Sequence, residues 1–151
     1  VQAGAQAVQL FDSWVGALSP RQYRDHVLPH SRFVLESLRS SGVPVIHFGT
    51  GTSGFLEDFA SAGSDVVGVD WRIDLDKAWK RIGGRAIQGN LDPVLLMGGR
   101  PPLKKAVQDI LERAGGRPGF IFNLGHGILP ETKPETVRAV VEWVHSHQAG
   151  R

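Results

Sequence analysis

The sequence predicts an α/β fold of parallel strands, and three observations predict it. Five short apolar runs recur along the chain, a helical pattern follows each of them, and polar residues gather just past the carboxyl end of each run. Strand-then-helix units of this kind pack as right-handed crossovers. The pattern does not by itself choose between a closed barrel and an open sheet. No low-complexity linker interrupts the series, so one domain is expected over residues 1–151.

The first strand is read at Ala7 to Phe11 and ends in Asp12, Ser13 and Trp14. Ser19 then caps a helix with Pro20 at its first position and Gln22 three residues on, a capping box, and Pro29 is expected to kink that helix. Gly42 ends it. Val43 to Phe48 gives the second strand, followed by the glycine-rich Gly49 to Gly54 and a short helix through Ala60. Asp65 to Asp70 reads as the third strand, a short helix spans Leu75 to Ile82, and Arg85 to Gln88 reads as the fourth strand. Leu103, Val107, Ile110 and Leu111 mark the next helix. The fifth strand, around Phe120 to Phe122, reads as covered on both faces and runs into Asn123 and the glycine-flanked His126. Pro134 opens the last helix, whose stripe is Val137, Val140, Val141 and Val144.

Composition bounds the function. The 151 residues are 41% hydrophobic and 21% charged, enough apolar content for a sizeable core. No apolar run reaches the roughly 18 residues of a membrane span. The net charge of +2 comes without a basic block, so nothing points to nucleic acid. With no cysteine, disulfide and thiolate chemistry are excluded. The chain starts at Val1, close to its first strand, which reads as a fragment of a longer protein.

Three site readings follow from the polar strand ends. Gly49-Thr50-Gly51-Thr52-Ser53-Gly54 is a literal G-x-G-x-x-G after a strand, with Asp70 closing the next, the pattern of a dinucleotide or S-adenosylmethionine site. Alternatively, Ser13, His47, Asp70, Asn90, Asp92 and His126 line one mouth at the strand ends, with His126 presented between two glycines to donate to a carboxylate or move a proton. For Asp12 and Asp92 the competing reading is a turn cap, and for His47 a core histidine. A zinc site using His47 is disfavoured, because no His-x-x-His or Glu-x-x-His spacing and no cysteine accompany it, so no metal is expected. Trp14, Trp71, Trp79 and Trp143 read as packing, and His145 and His147 as solvated.

The segments VQLFDSWVGALS, HFGTGT, VVGVDW, QGNLDP and FNLGHGILPET, in this order, resemble the carboxyl-terminal half of the uroporphyrinogen decarboxylase family across essentially the whole chain. The resemblance implies a (β/α)8 TIM barrel of which this chain supplies about the last five βα units. It implies a cytoplasmic homodimer that removes the four acetate carboxylates of uroporphyrinogen III to give coproporphyrinogen III, in porphyrin and heme biosynthesis, without cofactor or metal. Carried over by motif, Ser13 and His126 are substrate-binding residues and His126 is the catalytic candidate. The family's arginine-rich RQAGR segment, an aspartate and a tyrosine have no counterpart in this chain, so the isolated chain is expected to be inactive. Related barrels include methyltransferases with a zinc-binding His-x-Cys pair, where this chain has His47-Phe48-Gly49. A non-catalytic binding module is the remaining alternative.

Overall fold

The computed structural model describes residues Val1–His147. Five strands alternate with helices: β1 (Val8–Asp12), α1 (Pro20–His26), α2 (Leu28–Arg39), β2 (Val45–Gly49), α3 (Leu56–Ala60), β3 (Val66–Gly68), α4 (Leu75–Arg81), β4 (Ala86–Leu91), α5 (Arg100–Ala114), β5 (Phe120–Leu124) and α6 (Pro134–Ser146). All neighbouring strands pair in parallel, and their spatial order is their chain order, β1-β2-β3-β4-β5. That order separates the two architectures left open by the sequence. A doubly wound sheet reverses direction at a switch point, whereas successive right-handed crossovers that always step the same way put every helix on one face and curl the sheet into a barrel. The fold is therefore α/β, five consecutive βα units of a barrel.

Local chemistry explains the elements. Ser19 and Gln22 form the expected capping box, with Gln22 N donating to Ser19 Oγ at 3.3 Å and Ser19 N donating to Gln22 Oε1 at 3.1 Å. Pro29 does more than kink the helix. Because a proline lacks the N–H a helix interior needs, the pattern splits at Val27 into α1 and α2, and Pro29 takes a place in the first turn of α2. Helix α5 buries Leu103, Val107, Ile110 and Leu111 and stops at Gly115, whose φ of 63° is the left-handed cap that glycine adopts without a Cβ penalty.

Alternation along the strands divides the sheet into two faces. Val45, His47, Val67, Ile87 and Leu91 are buried and belong to the layer packed by Leu35, Phe59, Leu75, Ala78, Leu103 and Val107 of the helices. The opposite, concave face carries Gln9, Phe11, Phe48, Gln88 and Asn123. Strand β5 departs from expectation here. Phe120 and Phe122 are partly buried, but Ile121 and Asn123 are exposed, so the strand is covered on one face only. It is an edge strand bordering the open concavity, and an unbroken apolar run cannot show that one of its faces is unpacked.

Candidate functional site

Past the carboxyl ends of β1 and β5, two loops meet over the concave face. Trp14 follows β1 and is 79% exposed; His126 follows β5 by two residues. Their rings lie 5.9 Å apart, tilted by 48°. At that exposure Trp14 is not a packing residue, which corrects the reading of the four tryptophans as packing. His126 also meets the edge of Phe48, 6.4 Å between centroids, and Phe48 in turn meets Phe11 at 5.9 Å. Gly68 makes this aromatic row possible: a Cβ there would come within 2.9 Å of the Phe48 ring. Phe11, Phe48 and His126, with Gln9, Gln88, Asn123, Leu124 and Gly127, line a cavity of about 200 Å³.

The imidazole orientation is set by its own loop. Gly127 N donates to His126 Nδ1 at 2.8 Å, so Nδ1 is an acceptor and the proton of the neutral ring sits on Nε2. His126 thus offers a donor at the cavity wall. Gly125 holds the loop down, because a Cβ at that position would come within 2.8 Å of the Trp71 backbone nitrogen. Ser13 sits on the neighbouring side of Trp14, in a recess shared with Asp12, Val15 and Leu18. Its carbonyl accepts from Thr50 N and Thr50 Oγ1, which pins the loop. Its hydroxyl has no partner among the described residues.

The remaining strand-end residues of the expected mouth are committed elsewhere. His47 lies on the helix side of the sheet, fully buried, its ring stacked on Phe59 at 3.9 Å and its Nε2 donating to Asp12 Oδ2 at 2.7 Å. A place for it in the mouth is wrong by one step of strand alternation: Phe48 faces the cavity and His47 faces the helices. Asp12 is more than a turn cap. It also accepts from Ser31 Oγ at 2.7 Å; burial pushes its carboxyl up, but the bonds from His47 and Ser31 outweigh this and hold it below the usual carboxylate range. Asn90 spends its side-chain amide on the carbonyls of Asp70 and Ile73, and Asp92 caps the following 3₁₀ turn through Val94 N.

Asp70 settles the glycine-rich loop. Its Oδ2 accepts from Gly51 N at 2.7 Å and from Arg72 Nη1 at 2.5 Å, and its Oδ1 accepts from Arg72 N. In a dinucleotide site the loop amides face a pyrophosphate and the acid holds a ribose. Here the acid binds the loop itself, the loop is followed by a helix of only five residues, and the sheet has no switch point. The dinucleotide and S-adenosylmethionine reading is not favoured. His47 is equally unavailable as the first ligand of a methyltransferase-type zinc pair, with Nε2 on Asp12 and Nδ1 buried.

Sequence reasoning misses Gln9 and Gln88. Both stand mid-strand rather than at a strand end, and only the register of β1 and β4 turns them toward the cavity. Period-two alternation places Gln9 on the face of Phe11 and is the one signal that could find it.

Comparison with known proteins follows the same line. The family model described as uroporphyrinogen decarboxylase (URO-D) matches residues 1–147. The uroporphyrinogen decarboxylase of Sorangium cellulosum (strain So ce56) is 60% identical over 147 residues, covering 97% of this chain and 42% of that protein. That of Solibacter usitatus (strain Ellin6076) is 61% identical over 145 residues, covering 95% of this chain and 42% of its own length. Among solved structures, a methyltransferase from Methanosarcina mazei superposes with a TM-score of 0.81 at 23% identity, over 94% of this chain and 42% of that one, a likeness of fold. The chain spans about 42% of the length of these relatives. Identity at this level along nearly all of its residues leaves one assignment, and the chain belongs to the uroporphyrinogen decarboxylase family.

Proposed function

We propose that residues 1–151 are the carboxyl-terminal part of a single uroporphyrinogen decarboxylase barrel domain, and that His126 and Ser13 bind carboxylate arms of uroporphyrinogen at its mouth. The observation that carries the reading is the set of His126 contacts. Its Nδ1 is occupied by Gly127 N, its Nε2–H is left as a donor, and the walls beside it are the rings of Trp14, Phe48 and Phe11. A donor set among aromatic rings suits a flat, apolar ring system whose edge carries carboxylates. Ser13, one residue before Trp14 in the adjoining recess and with no hydroxyl partner among the described residues, is the residue that we assign to a second arm.

The reaction needs no nucleophile from the protein. Protonation of a pyrrole α-carbon makes the ring cationic; the bond from the acetate methylene to its carboxylate then breaks, and its electron pair flows into the ring. Carbon dioxide leaves, and the methylene enamine that remains is reprotonated to a methyl group while the ring proton is lost. The substrate supplies the electron sink that an organic cofactor supplies elsewhere. The protein's part is orientation and proton handling: His126 either donates to a carboxylate or carries the proton, roughly 10²–10⁴-fold in rate for a positioned acid or base. The sheet edges of β1 and β5 await the rest of the barrel, which on the family likeness brings the counter-charges, and a cytoplasmic homodimer acting on a porphyrinogen accompanies this reading.

Calorimetric titration of the chain with uroporphyrin, the planar oxidised form of the substrate, tests it. Binding is expected, and His126→Ala and Ser13→Ala should each weaken it by roughly tenfold, the scale of a hydrogen bond to a charged group. Tight binding of NAD or S-adenosylmethionine, with none of uroporphyrin, would overturn the reading.

A further inference from the structure

The cavity beneath His126 is walled by three carboxamides, and no aspartate, glutamate, lysine or arginine lines it. Gln88 is the most enclosed, 5% exposed, on β4 opposite Gly68 of β3 and Ile121 of β5. Its only bond among the described residues is a long one: Nε2 donates to Gln9 Oε1 at 3.5 Å, across the concavity past β2 and β3. Whichever way the two amides are turned, a single bond between them leaves donor hydrogens and one carbonyl oxygen unpaired at the cavity wall. Asn123 adds to the set. Its Oδ1 accepts from Leu124 N at 2.8 Å, which leaves its NH₂ group for the cavity. Of the three only Gln88 is buried, whereas Gln9 is half-buried and Asn123 exposed, so the set opens onto the cavity with donor hydrogens that no other side chain takes up and that a ligand can use.

We propose that Gln9, Gln88 and Asn123 form a neutral subsite that binds one carboxylate-bearing arm of a tetrapyrrole, with Phe11 and Phe48 against the ring that carries the arm. The inference rests on the tetrapyrrole reading above. The cavity, about 200 Å³ and open to solvent, has room for a substituted ring of the ligand. Amide N–H groups match carboxylate oxygens without neutralising them, so they add discrimination more than attraction. An arm that ends in a carboxylate satisfies them. An arm that ends in a methyl group leaves them desolvated and unpaired, the situation by which a hydrogen-bonding site rejects an analogue lacking the group it was built for. The subsite therefore favours acetate arms still to be processed over methyl arms already processed, a role distinct from that of His126.

The test compares uroporphyrin, with eight carboxylates, and coproporphyrin, with four carboxylates and four methyls, as calorimetric ligands of the chain. The unaltered chain should prefer uroporphyrin by about tenfold or more. Because the donors are neutral, the preference should persist when salt is raised to about 0.5 M, where attraction between exposed charges is screened. Gln9→Leu on β1 and Asn123→Leu on β5, both edge-strand changes checked for folding by circular dichroism, should each bring the ratio toward one. Gln88→Glu should lower uroporphyrin affinity further by placing a carboxylate against the arm. If both porphyrins bind and the ratio is the same in folded Gln9→Leu and Asn123→Leu chains, the subsite is refuted and the tetrapyrrole reading stands. If neither porphyrin binds the unaltered chain, the tetrapyrrole reading itself has failed.

Discussion

The indole of Trp14 rests against the imidazole of His126, 5.9 Å between ring centroids, although the two residues follow the first and last strands of the sheet. The whole width of the ladder separates them, and only strong curvature brings their loops together. The bond between Gln9 on β1 and Gln88 on β4 repeats the relationship deeper in the concavity. Both contacts express the barrel-type twist and tilt of a sheet wound in one direction.

Trp14 should therefore report on the site. Binding of uroporphyrin beside His126 is expected to quench indole emission, and Trp14→Phe should remove most of the ligand-dependent change. Trp79 is the control: its Nε1 donates to the Arg85 carbonyl and its ring packs on Phe120 at the start of β5, away from the mouth. Trp79→Phe should leave the ligand-dependent quench in place. Equal loss from both variants would mean that the ligand sits elsewhere.

The half-buried Asp12 carboxylate predicts a pH dependence. The folded protein holds this group below its ordinary range, near 3.9, through His47 and Ser31. A carboxyl depressed by folding contributes stability that is present above its unfolded value and lost as pH falls through the folded one. Asp12→Asn should cost about 1–3 kcal/mol at pH 7, since it weakens two bonds to a charged acceptor. The gap in melting temperature between the two proteins should close as pH drops below about 4. A gap that stays constant down to about pH 2 would show that the charge is not what matters. Beside this cluster Tyr23 is also buried, its phenol pushed up by burial first and by the charge of Asp12 second, so it stays neutral across the range.

Part of the fold and of the site is legible in the sequence alone, and physical reasons separate that part from the rest. Ser19, Pro20 and Gln22 declare a helix start because capping is local chemistry, and the helix begins where they say. His126 stands out because two glycines flank it. His47 misleads because position along the chain gives the strand end but not the face, and one residue of alternation separates the cavity from the helix layer. Pro29 signals a kink, yet the break it makes depends on Val27 and Leu28 finding a new helix start. Gln9 and Gln88 lie 79 residues apart, and no local pattern announces that a curved sheet will bring them to 3.5 Å.

The glycine-rich loop yields a prediction of its own. Gly51 has φ +67°, and a Cβ added there would come within 3.0 Å of Gly16 Cα. A Cβ on Gly16 would in turn come within 2.6 Å of Gly51 Cα. The β1 and β2 loops touch backbone to backbone, which only glycine on both sides permits. Gly51→Ala should destabilise by roughly 1–2 kcal/mol from left-handed strain alone. Gly16→Ala, with no flexible side chain able to yield, should cost more, and thermal melts decide the order. Neither change should be rescued by NAD or S-adenosylmethionine. A clear rise in melting temperature with either ligand would restore a nucleotide role to the loop.

Activity is the final prediction. The concave face exposes Phe11 at 63% and Ile121 at 40%, on the two strands that form the sheet edges, and a closed barrel of this kind needs about eight strands where five are described. On the proposed reading, the chain alone does not turn over uroporphyrinogen. Mixed with the amino-terminal part of the Sorangium cellulosum relative, which supplies the strands this chain's edges lack, it should form coproporphyrinogen and release carbon dioxide. His126→Ala in the mixture should lower kcat by roughly 10²-fold or more if the imidazole carries a proton. If His126 only holds an arm, the loss should appear in KM with kcat little changed, because a contact equal in ground and transition states is uniform binding. Full turnover by the isolated 151-residue chain would show that the catalytic groups lie among residues with structural roles, with Asp12 and His47 the first to test, since theirs is the one acid–imidazole pair among the described residues and its imidazole is fully buried.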